Sequence, residues 1–358
     1  MRGACTVFGA LLLVVGACRR PPPTDDTGDD TGDTGSDTGD TGSDTSEPPP
    51  TLMAVNDRAY LPQALSMIGE AEHRVWAVEY LIYDSGSPGD VVDAMVAAAQ
   101  RGVDVRVLAD EEGYDTADAL ARLSAAGALT KLDAPTVTTH NKLILADDVT
   151  LVGSHNLTSS AMDANTEGSV RVAVPEVTAF YATYFEALWA NPEGVGTLAP
   201  ADTAPIVPLH DRGVTQALLG CIEDAEDRVD LVMYALSYRA EYPDSEVAEL
   251  LTALSAAHER GVTVRVVLDH SSWIVENAIN DAAAEVLLEA GVAVRHPPDW
   301  HVTHAKVLTC DHMVIVSDAN WSYSGLTLYN GTSLQATDAA LAEAYRVWFE
   351  DIWASGEG

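Results

Sequence analysis

The most informative segment of the sequence is HNKLILAD at residues 140–147, followed five residues later by GSHN at residues 153–156. A counterpart lies in the C-terminal part of the chain, with HAKVLTCD at residues 304–311 and SDAN at residues 317–320. In both stretches the Lys, the Asp and the final Asn follow the His at the same intervals. Two copies with identical internal spacing, each in an apolar setting typical of β-structure, indicate a duplicated functional unit.

Strand geometry gives this spacing a physical meaning. Side chains at positions i and i+2 of a strand project from the same face, so His140 and Lys142 stand side by side. Asp147 begins a turn after a short apolar run, and residues 150–152 predict a returning strand. This hairpin brings Asn156 back towards the His and the Lys. An imidazole, an ammonium and an amide at one place suit an anionic tetrahedral group.

The pattern His-x-Lys-x4-Asp followed by Gly-Ser-x-Asn resembles the signature of the phospholipase D superfamily, in which two copies meet to form one active site. The resemblance implies an α/β fold with two homologous sandwich halves, packed about a pseudo-twofold axis with the active site at their interface. It also implies a metal-independent phosphodiesterase that needs no cofactor and reacts through a phosphohistidine. One histidine attacks phosphorus, while the other protonates the departing alcohol and then activates water or an acceptor alcohol.

The resemblance assigns roles residue by residue. The catalytic candidates are His140, Lys142, Asp147, Glu167, His304, Lys306 and Asp311, and the phosphate-binding candidates are Ser154, Asn156 and Asn320. The lysines and asparagines would hold the nonbridging oxygens and offset the charge that builds in the transition state. We interpret the two motif aspartates chiefly as turn residues that shape the hairpins.

An acidic residue downstream of the first motif suggests which histidine attacks. Members of the family often have an acid there that hydrogen-bonds the nucleophilic imidazole, and residues 165–167 end in Glu167, whereas residues 330–332 contain no acid. We therefore expect His140 to be the nucleophile, oriented by Glu167, and His304 to be the general acid. The alternative is that Glu167 is a solvent-facing carboxylate at a strand end.

The second copy departs from the pattern, because Ser317-Asp318 stands where Gly-Ser is usual. Loss of the glycine removes a position of easy backbone approach. If Asp318 points inwards, its negative charge lies near the phosphate and weakens the site or changes its substrate choice.

The N-terminal 50 residues predict export rather than a folded domain. Residues 1–18 combine a basic start, an apolar core and small residues before Cys18, which is typical of a signal peptide and resembles a bacterial lipoprotein cleavage box. The resemblance implies that Cys18 is lipidated and that the protein is an exported, membrane-anchored lipoprotein; the alternative is an ordinary secretory signal. Residues 19–50 repeat Asp-Thr-Gly units and predict a disordered acidic linker.

The rest of the chain contains an internal repeat, since RGVDVRVLAD at residues 101–110 matches RGVTVRVVLD at residues 260–269. We predict two homologous halves at residues 51–190 and 209–358, joined by a Pro- and Gly-rich linker at 191–208. Strands alternate with helices in both, which favours an α/β sheet with helices on its faces. The predicted helices are 90–100, 118–126, 177–189, 245–259, 281–290 and 339–353.

The net charge of the chain helps to distinguish between the possible substrate classes. The net charge is −36, and residues 19–50 contain only nine acids and two arginines, so most of the negative charge lies in the two halves. An acidic surface disfavours nucleic acid, whose binding needs Lys and Arg at the phosphates. We therefore expect a monomeric enzyme that acts on phospholipids. The alternatives are a nuclease of the same superfamily, a cardiolipin-synthase-like phosphatidyltransferase and a surface binding protein whose site has decayed.

Two cysteines lie in the second half, Cys221 in a predicted helix and Cys310 beside a strand end. Export permits a disulfide. Their placement in different elements nevertheless leads us to expect that they are unpaired.

Overall fold

Each half of the chain forms one seven-stranded mixed sheet in the computed structural model, which describes residues 51–113, 115–272 and 279–357. The predicted signal peptide, the acidic linker and the lipidation site at Cys18 lie outside the described residues. The described residues form one compact unit. Along the described ranges, no helix is both long enough and apolar enough to cross a bilayer.

The first sheet has the strand order β1-β7-β6-β5-β2-β3-β4. Its strands are β1 (Leu52–Ala54), β2 (Arg74–Glu79), β3 (Asp104–Ala109), β4 (Leu129–Leu132), β5 (Lys142–Ala146), β6 (Val149–Gly153) and β7 (Ser169–Val172). The strands β2, β3 and β4 are parallel to one another, as their helical crossovers require. The motif hairpin β5–β6 pairs antiparallel and borders β2.

The second sheet repeats this topology in the order β11-β10-β9-β12-β13-β14-β8. Its strands are β8 (Ile206–His210), β9 (Arg228–Met233), β10 (Thr263–Leu268), β11 (Ala293–Arg295), β12 (Lys306–Cys310), β13 (Met313–Ser317) and β14 (Thr332–Thr337). The predicted duplication of an α/β unit is confirmed. The strand β8 begins within the range that the sequence predicts as a linker.

Helices cover both faces of each sheet. In the first half these are α1 (Tyr60–Glu70), α2 (Ser87–Arg101), α3 (Thr116–Ala125), α4 (Ser159–Asp163) and α5 (Pro175–Ala190). In the second half they are α6 (Gly213–Asp224), α7 (Glu246–Glu259), α8 (Asp281–Glu289), α9 (Tyr323–Thr327) and α10 (Ala339–Ser355). The six predicted helices correspond to α2, α3, α5, α7, α8 and α10. Of the first long helices of the two halves, the sequence analysis missed α1 and predicted α6 only at Cys221.

Period-two alternation on the strands builds three apolar cores. On β5, Leu143 and Leu145 belong to a central core, whereas Ile144 and Ala146 belong to the outer core of the first half. Opposite faces of one strand thus supply different cores. The central core contains side chains of both sheets together with α5 and α10, so it is the interface between the halves.

Paired contacts across that interface show the pseudo-twofold relation. The hydroxyl of Tyr181 donates to the carbonyl of Ser333 (2.5 Å), and the hydroxyl of Tyr345 donates to the carbonyl of Ser169 (2.6 Å). The two tyrosines stand at matching places in α5 and α10. The same contact is therefore made twice, once in each direction.

The expectation of unpaired cysteines is wrong, because Cys221 and Cys310 form a disulfide with their Cα atoms 5.8 Å apart. The reason is tertiary. The helix α6 packs across β12, so two residues separated by 89 positions in the chain become neighbours.

Candidate active site

Each motif histidine follows a residue that is fixed by a buried aspartate. The amide of Thr139 donates to Asp110 Oδ2 (2.8 Å), and the amide of Thr303 donates to Asp269 Oδ1 (2.6 Å). These two aspartates end the repeated segments at 101–110 and 260–269. Sequence reasoning missed their role, although the repeat itself aligned them.

The backbone of each motif histidine is bound by the other half of the protein. The amide of His140 donates to the carbonyl of Asn330 (2.9 Å), and the amide of His304 donates to the carbonyl of Thr166 (2.8 Å). The loop before β14 thus holds the first motif, and the loop before β7 holds the second. This crossing brings the two motifs to one site at the interface.

Glu167 binds the histidine of the opposite half. Its carboxylate accepts from His304 Nδ1 at 3.0 and 2.9 Å, and Ser154 and Asn165 also donate to it. Burial raises the pKa of this carboxyl, but the charge of His304 and the hydrogen bond with it lower the pKa to about 2. The expectation that Glu167 orients His140 is therefore wrong, and so is the solvent-facing alternative, because the side chain is fully buried.

His140 lies in a different environment. Its Nδ1 atom is buried and has no hydrogen-bond partner among the described residues. Burial lowers the pKa of this imidazole well below its usual value, and the charges of Lys142, Lys306 and His304 lower it further. Two of these charges belong to the second half, which places both motifs within electrostatic reach of each other. Burial also lowers the pKa of His304, but Glu167 opposes that effect.

The motif lysines are buried and matched in position. Each Nζ donates to the carbonyl oxygen of its own motif histidine, at 2.6 Å for Lys142. Burial lowers the pKa of Lys142 to about 8 and that of Lys306 to about 7. The chain contains three lysines, so two of them are placed here. Buried ammonium groups with lowered pKa values form a site prepared for an anion.

Two tyrosines that the sequence analysis missed cover these lysines. The Nζ atom of Lys142 lies 5.1 Å from the ring centre of Tyr80, and that of Lys306 lies 4.9 Å from the ring of Tyr234. Both tyrosine rings also contact the motif histidine of their own half, at centroid distances of 4.9 and 4.6 Å. They follow β2 and β9 directly, and only the matched strand ends signalled them.

The asparagines Asn156 and Asn320 follow the returning strands β6 and β13. The Oδ1 atom of each is buried without a partner in the described part of the chain. Ser154 is instead committed to the protein, because its hydroxyl donates to Glu167 and accepts from the amide of Gly168. The structure therefore gives Ser154 a positioning role beside Glu167.

The motif aspartates stand at the far end of each hairpin from the lysines. Asp147 and Asp311 have positive φ angles of 47° and 52°. The Asp147 carboxylate accepts from the amides of residues 72–74, and that of Asp311 accepts from the amides of residues 226–228. These contacts fix the turn to the start of β2 or β9, which is a structural role rather than a catalytic one.

Asp318 does point inwards. It is 1% exposed, and its carboxylate accepts from the amide of Thr332 (2.6 Å) and from the hydroxyl of the same residue (3.2 Å). Burial raises the pKa of Asp318 to about 7, while the charge of Lys142 opposes that effect.

Comparison with known proteins identifies this arrangement. A family model described as "Cardiolipin synthase, PLD-like domain" matches residues 64–189 and 218–353, which is more than half of the chain. The chain belongs to this family. The match covers both motifs and six of the seven strands of each sheet of this PLD-like protein. It places the chain among the phosphodiesterases and phosphatidyltransferases of the phospholipase D superfamily.

Individual relatives are more distant. The PLD-like chain is 28% identical over 145 residues to the mitochondrial cardiolipin hydrolase of Homo sapiens, covering 40% of this chain and 52% of that protein. It therefore matches about half the length of this curated relative. The crystal structure of phosphatidylserine synthase from Haemophilus influenzae Rd KW20 superimposes with a TM-score of 0.67 at 11% identity, over 86% of this chain and 87% of the other.

A second solved structure has a similar fold. Polyphosphate kinase from Porphyromonas gingivalis superimposes with a TM-score of 0.61 at 15% identity, over 84% of this chain and 46% of that chain. At these identities the two superpositions show the fold alone.

Proposed function

We propose that this protein cleaves the phosphodiester of phospholipids, with His304 as the nucleophile and His140 as the general acid and base. The observation that supports this assignment is the buried contact of His304 Nδ1 with Glu167 at 2.9 Å. A carboxylate at Nδ1 keeps the proton on that nitrogen and leaves the lone pair on Nε2. The same carboxylate stabilises the cationic ring once Nε2 has bonded to phosphorus.

The reaction proceeds in two displacements. The negative charge of the bound phosphodiester favours protonated His140 and so opposes the burial that lowers its pKa. Nε2 of His304 then attacks phosphorus, the bond to the leaving alcohol breaks, and the imidazolium of His140 gives its proton to the departing oxygen. Neutral His140 then takes a proton from water, whose oxygen attacks phosphorus and breaks the N–P bond. The products are an alcohol and a phosphomonoester such as phosphatidic acid, and both histidines return to their starting states.

The lysines bind the substrate's charge. Their ammonium groups are buried, and their lowered pKa values show how costly an unneutralised charge is at this place. A bound phosphodiester supplies the missing negative charge and raises both pKa values. The side-chain amides of Asn156 and Asn320 donate from Nδ2 to the same oxygens.

A phospholipid is the preferred substrate class for two reasons. The chain's net charge of −36 opposes the approach of a nucleic acid, whose backbone needs many cationic contacts. The matching family model is also described by a phospholipid-forming enzyme.

We further propose that the protein is exported and held at a membrane through lipidated Cys18, which places the site beside its substrate.

Transfer of the phosphatidyl group to an alcohol is the second candidate, and the description of the family model favours it. The first displacement is the same in both reactions, and only the acceptor in the second differs. Incubation with a phosphatidylcholine and added glycerol separates the two, because hydrolysis yields phosphatidic acid while transfer yields phosphatidylglycerol in proportion to the glycerol added.

Trapping the intermediate tests the proposed function. The enzyme is mixed with a short-chain phosphatidylcholine, denatured at alkaline pH and digested, and the phosphatidyl adduct is located by mass spectrometry. We expect the adduct on His304, its loss in His304→Ala, and its accumulation in His140→Ala, which lacks the base for the second step. An adduct on His140 would reverse the two roles. Absence of any adduct, with no choline released, would favour a binding protein.

A further inference from the structure

The second half supplies a buried acid to the active site from a different position than the first half does. Residues separated by 164 positions, the offset of the two motif histidines, correspond to each other. By this rule Ser154 corresponds to Asp318, and Glu167 corresponds to Gly331. The first half has a small residue after β6 and an acid before β7. In the second half the acid follows directly on β13, and the small residue precedes β14.

The two exchanged positions share one space. A Cβ atom built on Gly331 would lie 2.6 Å from Asp318 Oδ1, closer than such atoms approach each other. The carboxylate of Asp318 therefore fills the volume that a side chain at position 331 would need. An acid at 318 and a side chain at 331 exclude each other, which explains why the substitution at one position accompanies glycine at the other.

The hydrogen bonds of the two positions also match. In the first half the amide of Gly168 donates to Ser154 Oγ (3.0 Å), and in the second half the amide of Thr332 donates to Asp318 Oδ2 (2.6 Å). Gly168 and Thr332 are themselves related by the 164-residue offset. The carboxylate of Asp318 thus takes over the backbone contact of the serine as well as the space of the glutamate.

The acidic charges that act on the two motif lysines also correspond between the halves. Burial is the main influence on both lysines and lowers their pKa values, and the strongest opposing charge is Glu167 for Lys306 and Asp318 for Lys142. Each acid belongs to one half and acts on the lysine of the other. The acid has moved within the second half, but its charge still acts on the opposite motif.

We propose that Asp318 is a positioning residue for Lys142 and His140, and that it replaces in the second half the acid that Glu167 supplies in the first. This inference rests on the proposed phosphodiester chemistry at the same site. Asp318 differs from Glu167 in one respect, because its carboxylate binds Thr332 and not His140 Nδ1. The backbone of Asp318 hydrogen-bonds with the His140 ring, while the charge of its carboxylate acts on Lys142. His304, in contrast, is held by the carboxylate of Glu167 itself.

The three lysines of the chain make a direct test possible that needs no turnover. Labelling with lysine enriched in ¹³C at Cε gives three signals, and Lys131, on β4, provides the internal reference. We expect the titration midpoint of Lys142 to fall by about one pH unit or more in Asp318→Asn, because an opposite charge has been removed. The midpoint of Lys306 should fall by less, because the strongest opposing charge on that lysine is Glu167 and not Asp318. Asp230→Asn, which removes a buried carboxylate of the same half elsewhere, is the control and should leave Lys142 unchanged.

Rebuilding the first-half arrangement in the second half tests the exchange itself. We expect Asp318→Ser to lower kcat on a chromogenic phosphodiester by roughly ten- to a hundredfold, the size of one hydrogen bond or ion contact to a charged group. Gly331→Glu alone should lose activity and thermal stability, because its side chain meets Asp318. The double variant Asp318→Ser/Gly331→Glu should regain activity relative to both single variants and restore the Lys142 midpoint.

The outcomes separate this inference from the proposed function. An unchanged Lys142 midpoint in Asp318→Asn, or a double variant no better than Asp318→Ser, would overturn the role of Asp318 even if the wild-type enzyme turns over. A wild-type protein that cleaves no phosphodiester would overturn the proposed function, and the lysine titrations would still decide whether Asp318 is the exchanged acid.

Discussion

Replacement of Glu167 by Gln removes one charge from the centre of the site and keeps its shape. The glutamine oxygen can still accept from His304 Nδ1, while its amide can donate to Ser154, whose hydroxyl is free to rotate. The change therefore tests the carboxylate's charge rather than its packing. Because the side chain is fully buried, water cannot take over the lost interaction.

The magnitude follows from the pKa of this carboxyl. It lies at about 2 against an ordinary value of 4.5, so the folded protein favours the charged form by roughly 3 kcal/mol. His304 supplies the largest share of that stabilisation, ahead of His155 and Lys306. Loss of one hydrogen bond to a charged group is worth about 1.5–3 kcal/mol. We therefore expect kcat/KM to fall by roughly ten- to a hundredfold, and by up to about 10⁴-fold if the ring also adopts the wrong tautomer.

The assay is steady-state release of choline from a short-chain phosphatidylcholine between pH 5 and 9, with the folded state checked by thermal melting. The loss should appear in kcat and kcat/KM alike, because the cationic ring forms only on the way to the intermediate. Asp163→Asn, at an exposed helix end, is the control. Full activity in Glu167→Gln would refute the assignment of His304 as the nucleophile. A loss confined to KM would show that Glu167 acts on substrate binding instead.

Three further predictions concern anion binding at the active site, the hairpin turn at Asp147 and the Cys221–Cys310 disulfide. Tungstate, a tetrahedral oxyanion, should bind with net proton uptake near pH 8, because the anion raises the lowered pKa values of Lys142 and Lys306. Calorimetry in buffers of different ionisation enthalpy measures the proton uptake. Binding without proton uptake would contradict this prediction. Asp147→Asn should lower the free energy of unfolding by about 1–2 kcal/mol, because it weakens the hydrogen bonds with the amides of residues 72–74. Urea titration measures this loss. The kcat of the variant, measured by steady-state kinetics, should not change. Reduction of the Cys221–Cys310 disulfide, which closes an 89-residue separation, should destabilise the protein by up to roughly 4–5 kcal/mol, and an unchanged melting temperature in reductant would contradict its structural role.

The dependence of stability on pH has a definite sign for Glu167. A carboxyl whose pKa is lowered by folding contributes stability above its unfolded value, and this contribution is lost as the pH falls towards about 2. His155 acts in the same direction at higher pH. Burial lowers its pKa to about 4, so stability declines as the pH falls from about 6.5 towards that value, since the unfolded chain then binds the additional proton.

Local sequence patterns were sufficient to predict the duplicated α/β fold. The two motif hairpins, the repeat at 101–110 and 260–269, and six of the helices all follow from periodicities and turn residues that act over a few positions. The linker prediction extended over β8, because a short edge strand next to a Pro-rich stretch has little pattern of its own. The helix α1 was missed and α6 was predicted only at Cys221, although both have an apolar face.

Strand geometry relates residues two apart, so the sequence alone was enough to predict two matched His-Lys-Asn sets, each on a β-hairpin. Which groups of one half act on the other became visible only in the folded molecule. Glu167 reaches His304 and Asp318 acts on Lys142, since both relations depend on how the two sheets pack through a shared core. Within the second half, the Cys221–Cys310 disulfide depends on the packing of α6 on β12. The spacing of residues along the chain does not specify a contact between the halves. The assignment of nucleophile and general acid to the two histidines therefore depends on the residues that contact them in the folded protein.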